Sequence, residues 1–245
     1  MNLIVDIGNT RAKIAVFENN ELHEVEAVEY KDAIAFIKSL QVKYSITAAI
    51  ISNVGNPQIE LEEYLASNFE YVKLSSNTPI PVKINYATPA TLGVDRRALA
   101  VAADEFSKDK SVLVIDMGSC ITYDYIEAGG IYHGGAISPG VNMRFKAMHN
   151  FTESLPLVSI KDSDSPIGKT TEMSLVNGVL YGVKGEIDSY ISQIKELDEN
   201  ILVIITGGDH PFFVNKLKNS IFADSKILLK GLNSILNYNI SKIDE

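Results

Sequence analysis

The stretch "VLVIDMGSCITYDYIEAGG" (residues 112–130) decides the fold, because the chain has already written it once as "NLIVDIGNTRAKIAVFENN" (residues 2–20). The two align without a gap at an offset of 110, with Asp6 on Asp116, Gly8 on Gly118 and Asn19-Asn20 on Gly129-Gly130. A match that covers two strands and two turns reads as a duplicated structural unit. In the first copy an apolar strand, Leu3–Ile7, ends at a Gly-Asn turn. Ala12, Ile14 and Val16 then alternate with Arg11 and Lys13, which predicts a half-buried strand. Asn19-Asn20 suits a tight hairpin because Asn tolerates positive φ, and "ELHEVEAVEY" supplies a third strand.

After this meander come a helical pattern ("KDAIAFIKSL"), a strand ("TAAIISNV"), a helix ("QIELEEYLASNF"), a short strand ("YVKLS"), a proline-marked loop and the Ala-rich helix "DRRALAVAADEF". The second half repeats the order: strands at 112–116, 120–126 and 131–136, then a long helix over 170–197. The strand "ILVIIT", a helix near "PFFVNKL", the strand "KILL" and a closing helix complete it. The expected class is α/β, with two duplicated ribonuclease H-like domains, 1–108 and 109–245, each a mixed sheet flanked by helices, facing each other around a nucleotide cleft. Residues 141–166, between the second meander and its helix, read as a lid or dimer element.

Composition narrows the function. The 22 Lys and Arg against 31 Asp and Glu give a net charge of −9, which argues against a duplex-DNA or anionic-membrane surface, since both need a concentrated basic face. One cysteine, Cys120, allows no intrachain disulfide and no cysteine-rich metal cage. Four scattered histidines do not resemble a zinc site, and His133, His149 and His210 read as structural or exposed. "MNLIVDIGNT" meets an Asp too soon for a signal peptide, and no apolar run approaches a membrane span, so a cytoplasmic protein is expected.

The repeated turn carries chemistry. Gly8 and Gly118 let backbone N–H groups approach a phosphate, and Asp6 and Asp116 can hold a hydrated Mg²⁺ or a monovalent cation beside it. A lone D-x-G at a strand end is usually only an Asx turn; two copies at a fixed offset in one meander favour a phosphate grip. Neither a P-loop nor a dinucleotide fingerprint is present.

With "DIGNT" (6–10), "TLGVDRR" (91–97), "DMGSCITYD" (116–124), "GGAISPG" (134–140), "PIGKTT" (166–171) and "ITGGD" (205–209) in this order, the chain resembles the type III pantothenate kinase family of the actin-like ATPase and sugar-kinase superfamily. The resemblance implies ATP-dependent phosphorylation of pantothenate, with Mg²⁺, a monovalent cation (K⁺ or NH₄⁺) and a homodimer. It implies that Asp6, Ile7, Gly8, Asn9, Thr10, Arg11, Ala12 and Lys13 line the ATP phosphates, with Ser119 and the backbone of Gly207 and Gly208 as further ATP contacts. Asp6 is also a candidate for the ATP-bound Mg²⁺, and Asp116 for the monovalent cation.

The resemblance makes Asp95 the catalytic base; taken bare, an acidic residue in a first helical turn serves the helix dipole. Tyr86, Gly93, Val94, Arg96 and Thr171 are its implied pantothenate contacts, with Thr170 or Thr171 as the N-cap of the long helix. Arg97 reads as a surface or interface charge. Thr122 and Asp124 are either a turn-proximal polar pair or part of the site. Family members commonly have Thr-Ala where Ser119-Cys120 stands here; Ser keeps the hydroxyl, and Cys120 reads as packing. Two rivals keep the scaffold: a hydrolase of polyphosphate or nucleotide phosphates, and a non-catalytic nucleotide-binding regulatory relative.

Overall fold

The first strand, β1 (Asn2–Ile7), runs antiparallel to β2 (Ala12–Glu18), which turns back into β3 (Glu21–Val28). Asn19, at φ 54°, makes the hairpin tip that its side chain permits. α1 (Ala33–Lys43), β4 (Ala48–Asn53), α2 (Ile59–Asn68) and β5 (Glu70–Lys73) follow, giving a sheet of order β3-β2-β1-β4-β5 in which β4 is parallel to β1 and β5. The structure is a computed structural model and describes residues 1–8, 11–163 and 165–241. It divides into two units, the first comprising Met1–Lys108, Gly129–His133 and the chain from Lys226 onward, the second Asp109–Ala128 and Gly134–Ser225.

In the first unit, Leu3, Val5 and Ile7 of β1 face Ile37 and Leu40 of α1 and Leu61 and Leu65 of α2. The opposite face of the sheet, with Ile4 and Ile50 fully buried, lies under α3 (Val94–Phe106) and the last helix of the chain. The strand β2 is therefore more buried than its alternation predicts: beyond Ile14 both parities, Ala15 and Val16, are at 0 % exposure. Helices on both faces make a strand read as a continuous apolar run.

In the second unit, β7 (Val112–Met117), β8 (Cys120–Glu127) and β9 (Ile131–Pro139) form the second meander. α4 (Val141–Asn150), α5 (Thr171–Leu197), β10 (Leu202–Thr206), α6 (His210–Phe213) and β11 (Phe222–Ala223) follow. The sheet order is β11-β10-β7-β8-β9, and β9 opens inside the first unit, where Ile131 and Tyr132 pair with a short β6 (Lys83–Ile84). The two copies differ at the turn. Asp6 is opposite Lys13, whereas Asp116 is opposite Thr122, so the second turn is one residue tighter than the ungapped sequence match suggests.

One sequence expectation changes and two gain detail. "KILL" is not a strand but opens α7 (Ile227–Ile240), because a short apolar run has no period that separates strand from buried helix. Residues 141–150, read as part of a lid or dimer element, are the helix α4, fixed to the core of the second unit by Val141 and Phe145, at 0 % and 1 % exposure. The helix near "PFFVNKL" is the four-residue α6, starting at His210. α7 lies against α3 in the first unit, and Gly231 makes their approach possible: a Cβ there would sit 2.0 Å from the Ala98 carbonyl oxygen.

Candidate active site

Asp6 lies next to last in β1, between Lys13 on β2 and Ser52 on β4, and is 7 % exposed. Burial pushes its carboxyl up to about 6, Lys13 pulls it down, the charge of Asp95 pushes it up again and Ser52 lowers it. The Ser52 hydroxyl is itself fully buried and forms no hydrogen bond of good geometry, so its help to the carboxylate is slight. A buried carboxyl with one exposed lysine for company, beside a second carboxylate, is a poor place for negative charge unless a cation arrives.

The Gly8 peptide is held on both sides: its N–H donates to the Arg11 carbonyl at 3.2 Å and its carbonyl accepts from the Tyr30 hydroxyl at 2.6 Å. Beside it a depression of about 420 Å³ is lined by Gly8, Tyr30, Gly55, Asn56 and Gln58. Asn9 and Thr10, two of the expected phosphate contacts, lie outside the described residues. Arg11 and Lys13 are exposed, while Ile7 and Ala12 are buried in the core, so those two have only backbone to offer a ligand.

Asp95 stands in the first turn of α3, half-buried, its Oδ1 accepting the Arg96 backbone N–H at 2.8 Å. Gly93 is needed for this: a Cβ there would lie 2.5 Å from that Oδ1. Val94 opens the helix. Arg96 is buried with its guanidinium 5.9 Å from the centre of the Tyr132 ring, and Tyr86 meets that ring edge-on at 6.1 Å. Tyr86, Gly93, Val94, Asp95 and Arg96 thus form one neighbourhood, joined by Tyr132. Arg97 is not the surface charge its sequence suggested. It is 5 % exposed and donates to the Thr78 carbonyl at 3.1 Å, because the helix face it occupies is covered.

In the second unit Asp116 is half-buried on β7 and Ser119 is exposed in the turn that follows. Gly207, at φ 91°, packs against this turn so tightly that a Cβ would sit 2.4 Å from Asp116 Oδ1 and from the Met117 backbone, which no other residue would allow. Gly208 is exposed, with open space around it. The Asp209 N–H donates to the Met117 carbonyl at 3.0 Å, and His210 Nδ1–H donates to the Gly207 carbonyl at 2.5 Å. His210, read from sequence as structural or exposed, is buried and fastens the glycine pair. Gly140 is seated on the other side of the turn, where a Cβ would be 2.3 Å from the Gly118 carbonyl oxygen.

Thr122 Oγ1 donates to Asp124 Oδ2 at 3.0 Å, and Asp124 is fully buried. The N-cap of α5 is Thr170, whose hydroxyl accepts the Met173 N–H, and this leaves Thr171 exposed as the first helical residue.

The donor set suits a nucleotide that brings its own metal. Among the described residues no group of three or more His, Cys, Asp or Glu side chains is arranged to hold an ion. A divalent ion bound by one carboxylate, with phosphate oxygens and water supplying the rest, is the usual Mg²⁺ arrangement, and buried Asp6 fits that single role.

Residues 2–193 match the type III pantothenate kinase family. A type III pantothenate kinase of Christiangramia forsetii is 44% identical over 240 residues, covering 98% of this chain and 99% of that one. That of Phocaeicola vulgatus is 45% identical over 242 residues, with 98% and 99% covered. Among solved structures, a Campylobacter jejuni protein named for a Baf family of transcriptional activators superposes with TM-score 0.61 at 24% identity, covering 98% of this chain and 99% of its own. A glucokinase from an Antarctic psychrotroph superposes with TM-score 0.54 at 12% identity, covering 97% and 98%; both likenesses speak to the fold alone.

Proposed function

The chain belongs to the type III pantothenate kinase family, and from that premise we propose how its residues divide the work. The reaction is the ATP-dependent phosphorylation of pantothenate to 4'-phosphopantothenate, the first step of coenzyme A biosynthesis, with a divalent metal accompanying ATP. Asp95 is the catalytic base. The bond from the γ-phosphorus to the bridging oxygen breaks, a bond to the pantothenate hydroxyl oxygen forms, ADP departs, and the hydroxyl proton passes to the Asp95 carboxylate. An alcohol is too weak an acid to be ionised beforehand by a carboxylate, so Asp95 orients the hydroxyl and takes its proton late in a loose transfer. Bound Mg²⁺ supplies charge neutralisation on the phosphates.

What supports this assignment is that the charge of Asp95, 89 positions away in sequence, reaches the buried Asp6 carboxyl and pushes it up. In this reading the Gly8 turn, with Arg11 and Lys13, contacts the ATP phosphates, and Ser119 and the Gly207-Gly208 backbone are further ATP contacts. Arg96 takes the pantothenate carboxylate, a pairing for which its planar fork is suited. Tyr86, Gly93, Val94 and Thr171 complete the substrate contacts, and Asp116 holds a monovalent cation, K⁺ or NH₄⁺. The enzyme is a cytoplasmic homodimer; among the described residues no helix is long and apolar enough to cross a membrane. The matching halves, 1–108 and 109–245, are copies of one ancestral unit.

The test is ADP release with and without pantothenate and K⁺. The expected result is turnover that requires pantothenate, rises with K⁺ and falls by about 10³-fold in Asp95→Asn, the scale of a lost general base. Turnover indifferent to pantothenate would overturn the assignment of Asp95, and indifference to K⁺ would overturn that of Asp116.

A further inference from the structure

Beneath the second turn lies a charged cluster that the reaction does not use. Glu186, on α5, accepts hydrogen bonds from Tyr123 at 2.8 Å and Ser138 at 2.5 Å on one oxygen, and pairs through the other with Arg144 of α4 at 2.6 Å. Arg144 also donates from Nε to the Pro139 carbonyl at 2.8 Å and reaches the Ser138 hydroxyl at 3.3 Å. Burial works against the Glu186 carboxylate, but Arg144, Ser138 and Tyr123 together hold it below the usual range. The cluster is half-buried, where a charge is costly unless its lone pairs are used, and here both carboxylate oxygens are.

The cluster fastens Ser138 and Pro139 on one side of Gly140. On its other side, the Gly140 N–H donates to the Ser119 carbonyl at 3.1 Å, and a Cβ on Gly140 would lie 2.6 Å from that oxygen. Between Arg144 and the Ser119 peptide there is thus one short rigid strap, Pro139-Gly140, with hydrogen bonds at both ends. We propose that Arg144 and Glu186 are positioning residues for the ATP-binding turn Gly118–Ser119, acting through Pro139 and Gly140. This rests on the reading of Ser119 as an ATP contact.

The experiment measures KM for ATP, KM for pantothenate and kcat in Glu186→Gln, Arg144→Lys and Ser119→Ala. Loss of one charged hydrogen bond in the strap should raise KM for ATP about five- to tenfold in Glu186→Gln and Arg144→Lys, leaving KM for pantothenate within about twofold. The double variant should be no worse than the poorer single, since both act through one strap. If Ser119→Ala weakens ATP while Glu186→Gln and Arg144→Lys leave KM for ATP unchanged, the strap does not position the turn and the proposal falls. If Ser119→Ala itself has no effect on KM for ATP, it is the reading of Ser119 that fails. Should Glu186→Gln not fold, Tyr123→Phe removes a single hydroxyl from the same carboxylate. Its expected effect is about a two- to threefold rise in KM for ATP alone; an equal rise in both KM values, or none, would overturn the proposal.

Discussion

Burial pushes the Asp6 carboxyl up to about 6, from 3.8 in an unfolded chain, so at neutral pH the fold keeps a charge that its surroundings disfavour. A raised carboxyl pKa stabilises the fold fully below 3.8, and that stabilisation is lost as pH rises through about 6. The span corresponds to about 3 kcal/mol. Without nucleotide or metal, Asp6→Asn should therefore be more stable than the natural protein at pH 7.5 by about 2–3 kcal/mol, and by only about 1 kcal/mol at pH 4.5. Urea denaturation at the two pH values measures this; parallel stability–pH curves for the two proteins would refute it. The carboxyl itself was readable in the sequence, because an Asp repeated at two strand ends asks for a reason. Tyr30, His210 and Gly140 were not, since each acts on a backbone carbonyl, and a carbonyl leaves no trace in sequence. Arg97 misled because charge suggests solvent, whereas a helix face covered on both sides takes its burial from its neighbours.

Helices here show how one residue type takes opposite signs. Gly231 lies where α7 meets α3, and a Cβ would be 2.0 Å from the Ala98 carbonyl oxygen and 3.1 Å from Ala102 Cβ. The helix-propensity gain of Gly→Ala, about 1 kcal/mol, is outweighed by overpacking of about 1–3 kcal/mol or more against a carbonyl that cannot move alone. Gly231→Ala should lose about 2 kcal/mol, while Gly182→Ala, on the exposed face of α5 with nothing within 4 Å, should gain up to about 1 kcal/mol. Chemical denaturation of both reads the contrast, and a common sign would sink it. At this scale the meanders and most helices were legible from periodicity and turn residues. "KILL" was not, and neither was α4, since the Pro-Gly before it reads as loop while its anchors, Val141 and Phe145, show their purpose only once the core has formed.

For the molecule as a whole, the α/β class followed from the repeat, but the path of the chain between the units did not. The sequence divides at 108 and 109, and Lys108 and Asp109 do fall in different units, yet the chain returns to the first for Gly129–His133 and again from Lys226. No local signal marks such a return, because it is set by which apolar faces remain uncovered. The proposed homodimer is checked by sedimentation equilibrium: a mass near twice 26.9 kDa is expected, and 26.9 kDa at micromolar concentration would refute it.

The place of α7 has a consequence for biosynthesis. A ribosome releases this chain from the amino end, yet α7, the helix that covers β1, β4 and α3, emerges only after every element of the second unit. Until then that apolar side of the earliest strands is covered only in part, by α3, and they wait, exposed to chaperones, while the second unit already has all its parts.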